Sequence, residues 1–362
     1  MRKIVVILLL AILLLGCKPE TTSVKVGFMG PLSGDAASYG ESIKKGVELA
    51  QERYGADIEI VYADSKCEGK EAVSVVNKLI TVNNVQAIIG DVCSGASLAA
   101  ATIALENKVV MISPASTSPD LTEAGDYFFR VIPSDALQGV FAAELIYEAG
   151  HRKLALVYSN EEYGVGLTTK LGEKFEELGG EVVAREAHER GAVDHRTSIA
   201  KIEEVSPDAI YIASNSPDSA VAVLKQIEEL GVESAVYGSE AFKSDSIIDS
   251  AGTAAEGLIL TSVSEGTKDF MDRHSEKYGE GPGPFAAQGY DAYEALAMVV
   301  QKGAKNGEDI MKMLDAISFK GASGAIAFDE NGEVPGNYDV FVVQDGAFVA
   351  QHEVKVGLPF TP

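Results

Sequence analysis

From Val24 onward the chain alternates two hydrophobic patterns. Short runs rich in Val, Ile and Leu are each followed by a longer stretch whose apolar residues recur every three or four positions. The short runs read as buried strands and the longer ones as amphipathic helices. "VKVGFMGPL" (24–32) predicts a strand. The stretch after it predicts a helix with Ile43, Val47, Ala50 and Tyr54 on one face and Ser38 as its N-cap. A strand over 58–64 follows, then a helix over 70–80 with Val73, Val76, Asn77 and Ile80 near one face. A strand over 87–93, a helix from Ser97 and a strand over 109–116 continue the series. Such alternation builds a parallel sheet with helices on both faces.

A second series opens after Pro133. Helices are predicted over 135–149, 164–178, 196–204 and 217–230, with strands over 154–159, 181–187, 209–214 and 235–240 between them. A strand over 257–263 and helices near 267–278 and 285–303 come next. The tail carries the turn signals "ENGE" and "QDGA" between alternating runs, and predicts antiparallel strands around a hairpin. At 362 residues the chain exceeds one ordinary core, so two α/β lobes are expected.

The first segment, "MRKIVVILLLAILLLGCKPE", does not belong to this alternation. Arg2 and Lys3 precede an apolar run from Ile4 to Leu15 that is shorter than the roughly 20 residues a spanning helix needs. Its end, "LLGC", resembles a bacterial lipobox. Residues 1–16 are then a signal peptide, Cys17 is the lipidated first residue of the mature chain, and 17–23 are a polar tether. The alternative is a plain signal peptide or an uncleaved anchor. Export makes the two other cysteines, Cys67 and Cys93, candidates for one disulfide.

A composition with 46% hydrophobic residues, 36 Gly and 12 Pro is globular. The formal net charge of −24 repels phosphates and disfavours a nucleic-acid partner. In parallel α/β sheets, ligands sit beyond the carboxyl ends of strands. The segments predicted there are 30–40, 93–97, 113–120, 159–164, 214–219 and 238–242. They are rich in Ser, Thr, Gly and aromatic residues and poor in His, which suits hydrogen-bonding a small polar ligand. "AIIGDVCSGAS" (87–97) leaves one question open: Cys93 or Ser94 could be a nucleophile, or a structural or ligand-holding residue. A nucleophile needs a base, and none of the five histidines makes a recognisable pairing with either. A G-x-S-x-G elbow would need Ser at 92, where the chain has Val. No phosphate-loop, dinucleotide or metal-type spacing occurs, so no cofactor and no metal are expected.

Four segments carry a family resemblance. "VKVGFMGPLSGDAASYGESIKKGVELA", "DSKCEGKEAVSVVNKLI", "IIGDVCSGASLAAATIALENKVVMISPASTSPDLT" and "RVIPSDALQGVFAAELI" resemble the branched-chain amino acid (Leu/Ile/Val)-binding proteins. These are type I periplasmic binding proteins that serve ABC transporters. The resemblance covers about 24–350. It implies a two-lobed clamshell of mostly parallel sheets, with lobe 1 from 24–134 plus 263–330 and lobe 2 from 135–262 plus 331–362. Three hinge crossovers near Ser134, Ser262 and Asn331 would join them. It implies no catalysis. Cys93 and Cys67 match the family disulfide, and Ser94 matches the serine that binds the ligand's α-carboxylate. Ala115 and Thr117 match positions that grip carboxylate and ammonium, and Glu240 matches the acid that receives the ammonium. Tyr39, Tyr163 and Phe285 match pocket walls. Asn215 stands where the relatives tend to carry an aromatic, and an amide there invites a polar side chain. His195 replaces the usual aromatic after Asp194. The implied partners are a small amino-acid-like ligand, ABC permease subunits and, through the lipid, a membrane. The alternatives are another amino acid, an amide or a small carboxylate as ligand, or a sensing receptor in place of transport.

Overall fold

Residues 23–351 are described by the computed structural model. The expected signal peptide, Cys17 and all of the expected tether except Ser23 lie outside the described residues, as does the end of the chain after Gln351.

The first series folds as β1 (Val24–Gly30), α1 (Ala37–Tyr54), β2 (Ile58–Asp64), α2 (Gly69–Thr81), β3 (Ala87–Ile89), α3 (Ser94–Glu106), β4 (Val110–Ser113) and β5 (Phe128–Arg130). The five strands pair in parallel in the order β2-β1-β3-β4-β5. β3 and β4 are covered on both faces, which is why "AII" and "VMI" are continuously apolar and do not alternate.

The second series is α4 (Asp135–Glu148), β6 (Lys153–Ser159), α5 (Glu162–Glu177), β7 (Glu181–His188), α6 (Arg196–Val205), β8 (Ala209–Ala213), α7 (Pro217–Glu229), β9 (Ala235–Gly238), α8 (Asp245–Ala251) and β10 (Ile259–Ser262). The chain then returns to pack α9 (Lys268–Tyr278), α10 (Ala286–Gln301), α11 (Gly307–Leu314) and the hairpin β11 (Ser318–Lys320)–β12 (Ala325–Ala327) against the first core. It crosses once more to place β13 (Asp339–Gln344) and β14 (Ala347–Ala350) on the edge of the second sheet. That sheet runs β14-β13-β10-β9-β8-β6-β7, antiparallel only at β13 and β14. In both sheets the strand order reverses next to the first strand of its series. The reversals fall between β1 and β3 and between β6 and β8, and ligands of such sheets bind at these points.

α1 and α10 cross closely because Gly46 lets them. A Cβ there would stand 1.9 Å from the Ala286 carbonyl oxygen. The expected face of α1 is buried at Ile43, Val47 and Ala50, with Tyr54 half-buried. Its start differs from expectation. The helix begins at Ala37 after Ala36, without a side-chain cap, so Ser38 lies inside it. α2 is rotated relative to the predicted face. Ala72, Val76 and Leu79 are buried, whereas Val73 is exposed. Val75 and Ile80 add partial contacts, and these flank a narrower stripe than the apolar letters suggested.

"QDGA" forms the β13–β14 hairpin, with Asp345 and Gly346 both at positive φ (51° and 71°) as a two-residue turn of this type needs. "ENGE" does not join paired strands. The strand before it pairs backward with β11, and the strand after it belongs to the other sheet. β3 and β4 end earlier than predicted, at Ile89 and Ser113. The residues removed from those strands build the cleft.

Candidate ligand-binding site

The loops after β1, β3 and β4 face the loops after β6, β8 and β9. Between them is a small cavity of about 30 Å³, walled by Tyr39, Val92, Cys93, Ser94, Ala115, Tyr163, Asn215, Glu240, Ala241 and Phe285. Seven of the eight residues expected at the site therefore meet there. The eighth, Thr117, is not among the walls. It is fully buried behind Ser94, with its hydroxyl unpartnered.

On the first lobe, the loop between β3 and α3 is held from beneath. Asp91 is fully buried, and its Oδ1 accepts from the amides of Val92 (2.6 Å) and Cys93 (3.0 Å). Burial pushes its carboxyl up to about 6, partly offset by these hydrogen bonds. Its carbonyl accepts from the Ser113 and Ser116 hydroxyls at 2.7 and 3.1 Å, tying this loop to the one after β4. Cys93, bonded to Cys67, is the N-cap of α3, and Ser94 is its first residue. Ser94 Oγ accepts from the amides of Thr117 (3.2 Å) and Ser118 (3.1 Å). Its own proton remains to be donated. With the free amides of the first turn of α3, it makes a site for an anionic group.

On the second lobe, Glu240 follows β9 and is buried. Gln138 of α4 donates to its Oε2 at 2.6 Å and also reaches the Thr261 hydroxyl at 3.2 Å. Burial holds the Glu240 carboxyl above its usual range. Asp135, at the start of α4, is fully buried, with neither carboxylate oxygen hydrogen-bonded. Burial and then the Glu240 charge push it well up, while the neighbouring Thr117 hydroxyl and Arg130 pull it partly back. The buried cation nearby, Arg130, is engaged by the Ser118 carbonyl, Thr122 and Glu333. This end of the cleft is thus an acidic, dry environment suited to a cation.

A raised carboxyl favours folding while protonated, and that contribution is lost as pH rises from 3.8 through the folded value. Asp135→Asn is therefore expected to raise the thermal midpoint at pH 7. The gain should shrink to nothing below pH 3.8, where Asp135 is protonated folded and unfolded alike. Melting curves across pH check this; a lower midpoint at pH 7 would show that the carboxylate makes a stabilising contact.

The lobes touch across the cleft. Tyr39 OH donates to the Ala241 carbonyl at 3.0 Å. Arg190, in the loop after β7, donates to the Cys67 carbonyl at 2.7 Å and lies 3.4 Å from Asp35. Glu162 of α5 sits against Gly95 at the positive end of α3. Tyr163 OH donates to Ser239 at 2.7 Å, which turns its ring to the cavity. Phe285 has φ 62°, a left-handed backbone that is uncommon for a bulky residue, and it sits edge-on to Tyr39 with ring centroids 5.9 Å apart.

Sequence reasoning missed Asp91, Asp135 and Gln138, which support the site from beneath. The segment "SDALQG" was visible, but nothing in a helical pattern marks which polar residue turns inward. His195 is buried away from the cleft, stacked edge-on against His188 at 4.7 Å. Among the described residues, the group with metal-ligand proximity is Cys67, Asp91 and Cys93, whose two sulfurs are bonded to each other.

A model of the family described as periplasmic binding protein matches residues 23–347. The leucine-, isoleucine-, valine-, threonine- and alanine-binding protein of Pseudomonas aeruginosa is 28% identical over 348 residues, 92% of this chain and 92% of that one. A solved leucine-binding protein of Thermotoga maritima has a TM-score of 0.86 at 31% identity, over 91% of this chain and 97% of that one. A branched-chain amino acid transporter substrate-binding protein of Streptococcus pneumoniae, solved with isoleucine, gives 0.83 at 28% identity, over 91% and 99%. All three are binding proteins, not enzymes, which leaves Cys93 as a disulfide partner. With a family match over most of its length and the two-lobed fold of these relatives, the chain belongs to the periplasmic binding protein family.

Proposed function

We propose that this protein captures a small α-amino acid as its zwitterion and delivers it to an ABC importer. One observation carries the reading. An anion site at Ser94 and the start of α3 lies on one lobe, and a buried carboxylate, Glu240, lies on the other, across one small cavity. In this reading Ser94 and the Ala115 backbone hold the α-carboxylate. Glu240 takes the ammonium, and Thr117, behind Ser94, holds that residue through its backbone amide. Tyr39, Tyr163 and Phe285 wall the side chain. Each charge-assisted hydrogen bond is worth about 1.5–3 kcal/mol, so a few of them reach the roughly −8 kcal/mol of micromolar binding.

Because the two ends of the ligand belong to different lobes, it binds the closed state better than the open one, and binding drives hinge closure. The permease subunits read that closed state. The lobes divide as 24–134 plus 263–330 and 135–262 plus 331–362, and a lipid on Cys17 holds the protein outside the cytoplasmic membrane through the short tether. The relatives that bind leucine, isoleucine and valine support a ligand of that size.

Calorimetric titration of the full chain, stripped of ligand by unfolding and refolding, tests this. One-to-one binding of free L-amino acids is expected, lost when the amine is acetylated or the carboxylate amidated. Equal binding of the blocked forms would remove the zwitterion from the site.

A further inference from the structure

Where the order of the second sheet reverses, between β6 and β8, the cleft wall is polar. Asn215, two residues past β8, lines the cavity, and its Oδ1 is buried without a hydrogen-bond partner. Beside it stands Glu161, two residues past β6. Its Oε1 is buried and unpartnered, while its Oε2 lies 3.8 Å from Arg190. Burial raises the Glu161 carboxyl, and Arg190 and Asn215 pull it back. A carboxylate only accepts, so the N–H end of the Asn215 amide belongs on the Glu161 side. That leaves an acceptor, Oδ1, for the ligand.

Ser94 and Glu240 are taken by the two charged ends of the zwitterion, and the remaining walls offer no competing polar partner. The Tyr39 and Tyr163 hydroxyls already donate to Ala241 and Ser239. Val92, Ala241 and Phe285 present apolar side chains. An aliphatic ligand would leave the buried Oδ1 without a donor, whereas a ligand hydroxyl or amide N–H would satisfy it, and the difference favours the polar ligand. A charged side chain fits no better. The Glu161 carboxylate is already engaged by Arg190 and stands behind a neutral amide.

We infer that the ligand's side chain is short, uncharged and carries a hydrogen-bond donor, a hydroxyl or a carboxamide, and that Asn215 selects it. This rests on the zwitterion reading above and names the class of amino acid. Two pairs of nearly equal shape test it: threonine against valine, and asparagine against leucine. Each is titrated calorimetrically into the full chain, stripped of ligand as above. Threonine or asparagine is expected to bind about tenfold tighter than its partner, or more. In Asn215→Leu the preference should vanish or reverse while the zwitterion contacts still hold both members of the pair. The wild-type comparison decides even if that variant fails to fold. Valine and leucine binding as tightly as their partners would overturn the inference and leave the zwitterion reading standing. Retention of the full preference in folded Asn215→Leu would overturn Asn215 as the selector. Failure of all four amino acids to bind would remove both readings.

Discussion

Glu240→Gln is expected to weaken amino acid binding by about 100-fold or more, because it leaves a buried ammonium without its counter-charge. The protein itself should be no less stable. Burial holds the Glu240 carboxyl above its usual range, so the charged form is unfavourable in the fold. The glutamine keeps the volume and an oxygen for the Gln138 donor, which bonds Oε2 at 2.6 Å in the wild type. Stability should therefore match or exceed wild type above pH 4.5, since the wild-type group loses stability as pH rises from there through its folded value. Calorimetry and thermal melting of the same sample check both halves. Unchanged affinity would end the assignment of Glu240 as ammonium anchor. Lost affinity together with a collapsed melting transition would mean that the variant reports on folding only.

Removing the Cys67–Cys93 bond should lower stability by about 3–4 kcal/mol, the loop-closure entropy of a cross-link spanning 26 residues. The bond joins the loop after β2 to the N-cap of α3, so it restrains the anion site as well as the unfolded chain. Affinity should nevertheless fall less than in Glu240→Gln. Asp91 would still hold the amides of Val92 and Cys93 through its Oδ1. Denaturant unfolding of the double Cys67→Ser, Cys93→Ser variant, with ligand titration beside it, measures both. A midpoint equal to that of wild type would show that the rest of the lobe already restrains this segment.

Much of the fold was legible because its signals are local. The fully buried strands read as apolar runs, and "QDGA" closes its hairpin because Asp and Gly tolerate the positive φ such a turn demands. The face of α2 was misread because Val73 and Ile80 share a helical spacing with Val76, and spacing alone does not say which flank meets the sheet. "ENGE" was misread because a turn signal specifies a reversal, not the strand that pairs afterwards. The short helix α11 and the strand β11 were missed because each is too brief to show a period.

By itself the sequence determined the alternation of strands and helices, and hence two parallel α/β sheets. It also determined which loops gather at the carboxyl ends of their strands. These follow from periodicity and sterics, which act over a few residues. Only the tertiary structure decided that Ser94 and Glu240, 146 positions apart in the chain, face one cavity. The same holds for Asp135, buried beside Glu240, and for the Asn215 amide, whose oxygen is buried and unpartnered at the cleft wall. The physical reason is desolvation. A carboxylate or an amide is ordinary on the surface, and becomes selective only when distant segments close over it and remove the water that would satisfy it.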